Sequence, residues 1–335
     1  MRERGQTSAS FWSAFASWKR TFMAGQMLAA GLLFCALAAT RSFASNLVPG
    51  DILVNNLSTS NVQEYEPDGT LVHTFKGTGT LFEGASLTPT GDLVTTYRSP
   101  SPGGVDVFNS AGTQILTFTT PQMASNQADV SVFPDGVFAV NNQNPAGYAL
   151  DEYSSTGTFI RGITLPDTGY PAGTYVAPNG TLWVVETAGP IMNMEENGTL
   201  LTTIDPDFSG GVSLVVNPSD NSIYLTDYIN DLVHHFSSTG TVLGQFSTSI
   251  SGPEGIGIAS DGTLYIDGDS DLVDHYSDSG TLLGAITLSN PGTPLYLSVI
   301  PLPEPTFLAL GTIVSLGLLA RPRIIRAQRQ SPSAL

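Results

Sequence analysis

The 335-residue sequence contains a single cysteine, Cys35. A disulfide framework and a cysteine-ligated zinc site are both excluded on that count. Basic residues are scarce and lie mostly at the two ends. Of twelve, five fall at or before position 41 and four after position 320, leaving only Lys76, Arg98 and Arg161 between. The same stretch holds 28 of the 29 acids, so residues 45–305 carry a charge of −25. Such a chain repels nucleic acid and anionic lipid, because binding phosphate needs Lys and Arg to displace counterions. The four histidines (His73, His234, His235, His275) show no His-x-x-x-His spacing, and there is no Ser-His-Asp order or phosphate loop.

Glycine (35) and proline (22) are plentiful, and Ser, Thr and Asn crowd the gaps between short apolar runs. That composition favours turns and strands over long helices. Length alone suggests two domains, but an internal repeat overrules it. The tripeptide x-Gly-Thr recurs at Gly69, Gly112, Gly157, Gly198, Gly240 and Gly280, spaced 43, 45, 41, 42 and 40 residues apart. Four residues before each glycine stands Tyr65, Phe108, Tyr153, Met194, Phe236 or Tyr276. Seven before stands Val62, Val105, Leu150, Ile191, Val233 or Val273, and six after stands Phe75, Phe118, Ile163, Ile204, Phe246 or Ile286. Each unit thus reads as apolar strand, glycine turn, apolar strand, which is a hairpin.

A second turn recurs about twenty residues earlier, as in "PTGDLV", "FPDGVFAV", "APNGTLWVV", "NPSDNSIYLT" and "ASDGTLYID". One more apolar stretch precedes it, so a unit is a meander of four short strands. Radial arrays of such sheets are β-propellers. The expected fold is all-β: a six-bladed propeller of four-stranded antiparallel blades. The first unit begins at "VPGDILVNN" with its second strand. The missing innermost strand is expected from residues 293–301, "TPLYLSVIP", which would close the ring and leave no open edge between first and last blades.

"GPEGIGIASDGTLYIDGDSDLVDHYSDSGTLLGAI", residues 252–286, resembles an NHL-type propeller repeat. The family's basic residue after Tyr265 is absent here, so no RNA-binding role is carried over. In such a ring the innermost strands begin near one mouth of the central channel. Glu83 and Glu254 stand at that point, with Asp129 one position further on. The ends of the second strands offer Asn55, Asn142, Glu186, Asp227 and Asp267. Oxygen donors of this kind suit Ca²⁺, and Glu83, Asp129, Glu254, Glu186, Asp227 and Asp267 are the candidate metal-binding ring. Gluconolactonase/regucalcin-like propellers hold a divalent metal at such a mouth; this chain has the residue types without that family's motif context. In an enzyme, Glu83 or Glu254 would act as base toward metal-bound water. The bland alternative is a set of solvated loop acids.

The ends read as addresses. Lys19 and Arg20 precede an apolar run at 23–40, and Ser42-Phe43-Ala44 places small residues for cleavage after Ala44, as in a secretory signal. The alternative is an uncleaved membrane helix. At the other end, Pro303-Glu304-Pro305 leads into fifteen mostly apolar residues and then four arginines. Fifteen residues span about 22 Å as a helix, short of the roughly 30 Å of a hydrocarbon core. This order resembles a PEP-CTERM sorting signal. The resemblance implies recognition by an exosortase, a transient membrane tether, cleavage near the motif and delivery to a bacterial cell surface or extracellular matrix. A plain C-terminal anchor is the alternative. The expected organisation is a signal peptide (1–44), a propeller (45–301) and a sorting segment (302–335). The expected role is a binding or structural module touching extracellular polysaccharide or surface proteins. A metal-dependent lactonase or lyase is the alternative.

Overall fold

The structure is a computed structural model. It describes residues 47–100, 102–120, 129–142, 149–166, 171–187, 189–205, 210–289 and 292–301. The signal cleavage site at Ala44 and the motif Pro303-Glu304-Pro305 lie outside the described residues, as does Ala128. Every regular element among the described residues is a strand.

Strands are numbered β1–β24 along the chain and form six four-stranded antiparallel sheets. The innermost strands are β24 (Pro294–Val299), β4 (Thr80–Leu87), β8 (Val130–Val132), β12 (Pro171–Val176), β16 (Gly211–Val216) and β20 (Pro253–Ile258). Next come β1 (Ile52–Asn56), β5 (Leu93–Ser99), β9 (Phe138–Asn142), β13 (Leu182–Glu186), β17 (Ile223–Asp227) and β21 (Leu264–Gly268). The third layer is β2 (Asn61–Tyr65), β6 (Gly104–Phe108), β10 (Ala149–Tyr153), β14 (Ile191–Met194), β18 (Leu232–Phe236) and β22 (Leu272–Tyr276). The outermost strands are β3 (Leu71–Phe75), β7 (Gln114–Thr119), β11 (Phe159–Thr164), β15 (Leu200–Ile204), β19 (Val242–Ser247) and β23 (Leu282–Thr287).

Each innermost strand touches those of the two neighbouring blades, and β24 meets both β20 and β4, so the ring is closed. As the sequence implied, the C-terminal strand completes the first blade: β24 pairs with β1 in the register Ile52↔Val299 and Leu53↔Ser298. Chain ends far apart in sequence are thereby joined inside one sheet.

Apolar side chains fill the space between blades. Each of the six blade junctions has its own core cluster, for example Trp183, Leu214 and Phe236 between the fourth and fifth blades. Val54, Tyr65, Val273 and Ile286 fill the junction between the sixth and first. The repeat positions supply this filling: Val62, Val105, Leu150, Ile191, Val233 and Val273 are all buried. The repeat glycines have a related cause. All six adopt φ between +77° and +90°, and a Cβ on any of them would come within 2.1–3.2 Å of a side chain of the preceding blade, such as Ile286 against Gly69 or Phe246 against Gly280. Glycine is therefore required twice over, by conformation and by close approach.

Candidate functional site at the channel mouth

A cavity of about 140 Å³ runs along the ring axis, lined by all six innermost strands. Asp129 and Tyr296 stand at one end and Val132, Val176 and Val299 at the other. The mouth near the strand starts is crossed by Tyr296. This side chain is fully within the protein, and its hydroxyl donates to the carbonyl of Ala172 in the opposite blade at 2.8 Å. Val212, Leu295 and Leu57 pack beside the ring.

The structure separates the six candidate ligands. Of these, only Asp129 lines the cavity. Its Oδ2 accepts from the Thr174 N–H (2.8 Å) and hydroxyl (3.2 Å), and its Oδ1 from the Val130 N–H (2.8 Å). Burial nevertheless pushes its pKa up to about 7. Glu83 is buried and paired with the Arg98 guanidinium. Asp267 accepts from the Gly255 N–H at 2.6 Å through Oδ1, while its buried Oδ2 has no hydrogen-bond partner among the described residues. Burial raises its pKa to about 7. Glu254 lies beside it with Oε2 likewise unpartnered. Burial, reinforced by the charges of Asp267 and Asp269, pushes Glu254 to about 9.

Glu186 and Asp227 belong elsewhere. Paired by register, Asn55 and Asp267 occupy one position of the second strands, and Asn142, Glu186 and Asp227 occupy the next. Adjacent strand residues point to opposite faces of a blade, so these side chains cannot share one ring. Asp227 caps its own loop, accepting from the Ile229 N–H (3.2 Å), the Asn230 N–H (3.1 Å) and the Asn230 side chain (2.8 Å), and it bonds His234 Nε2 at 3.0 Å. Glu186 sits over Gly189 of its own loop. Asn142 donates to Asp151 at 2.9 Å. Among the described residues, no group of three or more His, Cys, Asp or Glu side chains is placed to hold a metal ion.

The first of those two positions has a different use. Asn141 accepts from the Asp129 N–H of its own innermost strand (2.6 Å) and donates to the Ala172 carbonyl of the next blade (2.8 Å). Thr226 does the same, accepting from the Ser213 N–H (3.0 Å) and donating to the Glu254 carbonyl (2.8 Å). Asn55 donates to the Glu83 carbonyl, and Thr96 accepts from the Gly84 N–H at 3.0 Å. Asn55, Asn141 and Thr226 thus latch blade to blade, while the Thr96 bond joins two strands of one blade. Asp267 holds the same position at the ring-closing junction, where register makes Leu295 of β24 the counterpart carbonyl. A carboxyl can donate there only when protonated. The latch was signalled in the sequence: Asn55, Thr96, Asn141 and Asp267 each stand five residues after a glycine, at Gly50, Gly91, Gly136 and Gly262.

The histidines are also spent on packing. His235 stacks on Tyr224 (centroids 4.1 Å apart) and His275 on Tyr265 (4.3 Å), both between second and third strands. No histidine lines the cavity.

Fold and mouth together define a six-bladed β-propeller with a side chain across its channel. No family model and no curated protein matches the sequence. Among solved structures, the chain is similar to a protein of unknown function from Bacteroides caccae: TM-score 0.59, 13% identity, covering 76% of this chain and 99% of that one. A functionally unknown protein from Desulfotomaculum acetoxidans gives TM-score 0.56 at 14% identity, covering 78% and 94%. A catalytically inactive His-to-Ala variant of virginiamycin B lyase from Staphylococcus aureus, solved with quinupristin, gives TM-score 0.53 at 18% identity, covering 73% and 77%. At these identities the likeness is one of fold, and fold alone does not carry function.

Proposed function

We propose that the chain is an exported propeller acting as a binding or structural module of a bacterial surface or extracellular matrix. In this reading its NHL-like repeats form the scaffold. Signal peptidase cuts after Ala44, and an exosortase recognises Pro303-Glu304-Pro305 and ends the transient tether. Extracellular polysaccharide or surface proteins are its partners. One observation carries the non-enzymatic part: Tyr296 crosses the mouth, and Asp129, the one candidate acid facing the cavity, has both oxygens engaged by the protein. Mass spectrometry of the released protein tests the sorting part. A C-terminus upstream of Arg321 is expected, and a chain still carrying Arg321 contradicts it.

A second reading, a metal-dependent lactonase or lyase, is favoured by one feature. Glu254 Oε2 and Asp267 Oδ2 are buried, adjacent in charge and unpartnered. Ca²⁺ would find two carboxyl groups there, Glu254 giving up its proton on binding. Lactone or streptogramin turnover that is abolished by EDTA would decide for it; the first reading expects none.

A further inference from the structure

The axial cavity is a cup with one closed end. Tyr296 crosses it near the strand starts, tied through its hydroxyl to the Ala172 carbonyl. The innermost strands are buried at that level and grow more exposed toward their ends. The last two residues of β4, β12 and β24, and the last one of β8 and β20, are half-buried. Only Val216 of β16 stays buried to its end. The cavity therefore opens to solvent on the face opposite Tyr296, between Val132, Val176, Ile258 and Val299. Its rim is apolar.

Its wall is not. Ser86, Ser131, Thr174, Tyr175, Ser213 and Ser298 line it, drawn from five blades, and the sixth blade contributes Gly257. Two of these hydroxyls are spent: Thr174 donates to Asp129 and Ser298 to the Ala85 carbonyl at 2.9 Å. The hydroxyls of Ser86, Ser131, Tyr175 and Ser213 bond no protein group among the described residues. Ser131 and Ser213 are only 5% and 8% exposed, and what remains of their surface faces the cavity. A hydroxyl held out of bulk water without a partner costs free energy. Four around one space favour an occupant that returns hydrogen bonds.

Charge and size narrow that occupant. Among the described residues no Lys, Arg or His lines the cavity, and its one acid, Asp129, has both oxygens engaged by the protein. An anion finds no counterion there and a cation no free carboxylate, so the occupant is neutral. A cavity of about 150 Å³ takes one benzene ring, so this one, at about 140 Å³, takes one six-membered ring and leaves anything longer outside the rim. An apolar ring would leave the wall hydroxyls unpaired. A pyranose pairs them, because each of its hydroxyls both donates and accepts, and its C–H faces suit the apolar rim. We infer that the cup binds the terminal pyranose of a neutral glycan, entering on the face opposite Tyr296. The closed end prevents a chain from threading through, so only an end unit fits. The inference rests on the reading of the protein as a module that touches extracellular polysaccharide, and it gives that partner a site.

Saturation-transfer NMR of the purified full chain with the methyl glycosides of glucose, galactose, mannose and N-acetylglucosamine tests it. At least one should bind, with a dissociation constant on the order of 1 mM, as expected of a ligand with about a dozen non-hydrogen atoms. Oligomers of that sugar should bind no more tightly than the monomer, and glucuronate and cyclohexanol should not bind. Ser86→Leu fills the cup and should weaken binding about tenfold or more. Ser131→Ala and Ser213→Ala each remove one hydroxyl and should each weaken it about 2- to 10-fold, with melting profiles that match the wild type. Absence of binding by all four glycosides at concentrations about ten times higher overturns the inference, as does unchanged binding in the three variants. Equal binding of glucuronate or cyclohexanol overturns its chemistry. Affinity that climbs with oligomer length places the contact outside the cup and overturns it too. None of these outcomes touches export or sorting, which the C-terminal mass spectrum reads separately.

Discussion

The junction between the third and fourth blades and the junction between the sixth and first are built at the same register position with different chemistry. Asn141 bridges the first, accepting from Asp129 N–H and donating to Ala172 carbonyl. Asp267 occupies the second, accepting from Gly255 N–H and leaving Oδ2 without a hydrogen-bond partner among the described residues. An amide carries donor and acceptor at any pH, whereas a carboxyl gains its donor only on protonation. The junction that joins the chain's two ends is therefore the one whose latch depends on a proton. Tyr296 connects both junctions, since it belongs to the closing strand and bonds Ala172 across the channel.

Removing that connection should have the largest effect. Tyr296→Ala leaves a cavity at the axis and should cost about 3–5 kcal/mol in urea unfolding, as large buried aromatics do. Asn141→Leu comes next. It strips the Asp129 N–H of its acceptor while the Ala172 carbonyl keeps Tyr296, so about 1–3 kcal/mol is expected. Asn141→Asp sharpens the comparison further, because it should import into this junction the pH dependence of the ring-closing one, read as a melting temperature that falls more steeply with pH than in the wild type.

Asp267→Asn works in the opposite direction. The Asp267 pKa is raised by burial from 3.8 to about 7. Between those values the folded state holds a proton that the unfolded state has released, so stability falls as pH rises through this window and levels off above about 7. Asp129 adds to the same trend, and Glu254 extends it to about 9. Asp267→Asn should leave stability at pH 4 little changed and raise it at pH 8, by at least the roughly 1 kcal/mol of a restored hydrogen bond. Glu254→Gln should have the smallest effect, near zero at neutral pH where Glu254 is already protonated.

Much of the fold was legible because its determinants repeat. Glycines at φ near +80°, and the apolar residues seven before and six after them, answer to one packing problem met six times. The closing strand could be found because one blade lacked a strand and one strand lacked a blade. The mouth was harder to read for two reasons. A one-residue offset at a strand end turns a side chain to the other face, and that offset separates Glu186 and Asp227 from Asp267. The latch position carries Asn, Thr or Asp in five blades, which share hydrogen-bonding capacity but not identity, and Val185 in the fourth, and the fifth blade marks its turn with Asn221 in place of glycine. Tyr296 gave no signal of its own, because crossing the channel depends on the ring being closed.

The central claim is that the ring-closing junction is held by a carboxyl, Asp267, that completes its latch only when protonated. Thermal unfolding of the wild type and Asp267→Asn from pH 4 to pH 8, with and without millimolar Ca²⁺, tests it most directly. The account predicts that the two melting curves coincide at pH 4 and separate as pH approaches 7, with the variant the more stable and Ca²⁺ without effect on either. Parallel pH profiles, or a wild type that Ca²⁺ stabilises and a variant that it does not, would contradict it.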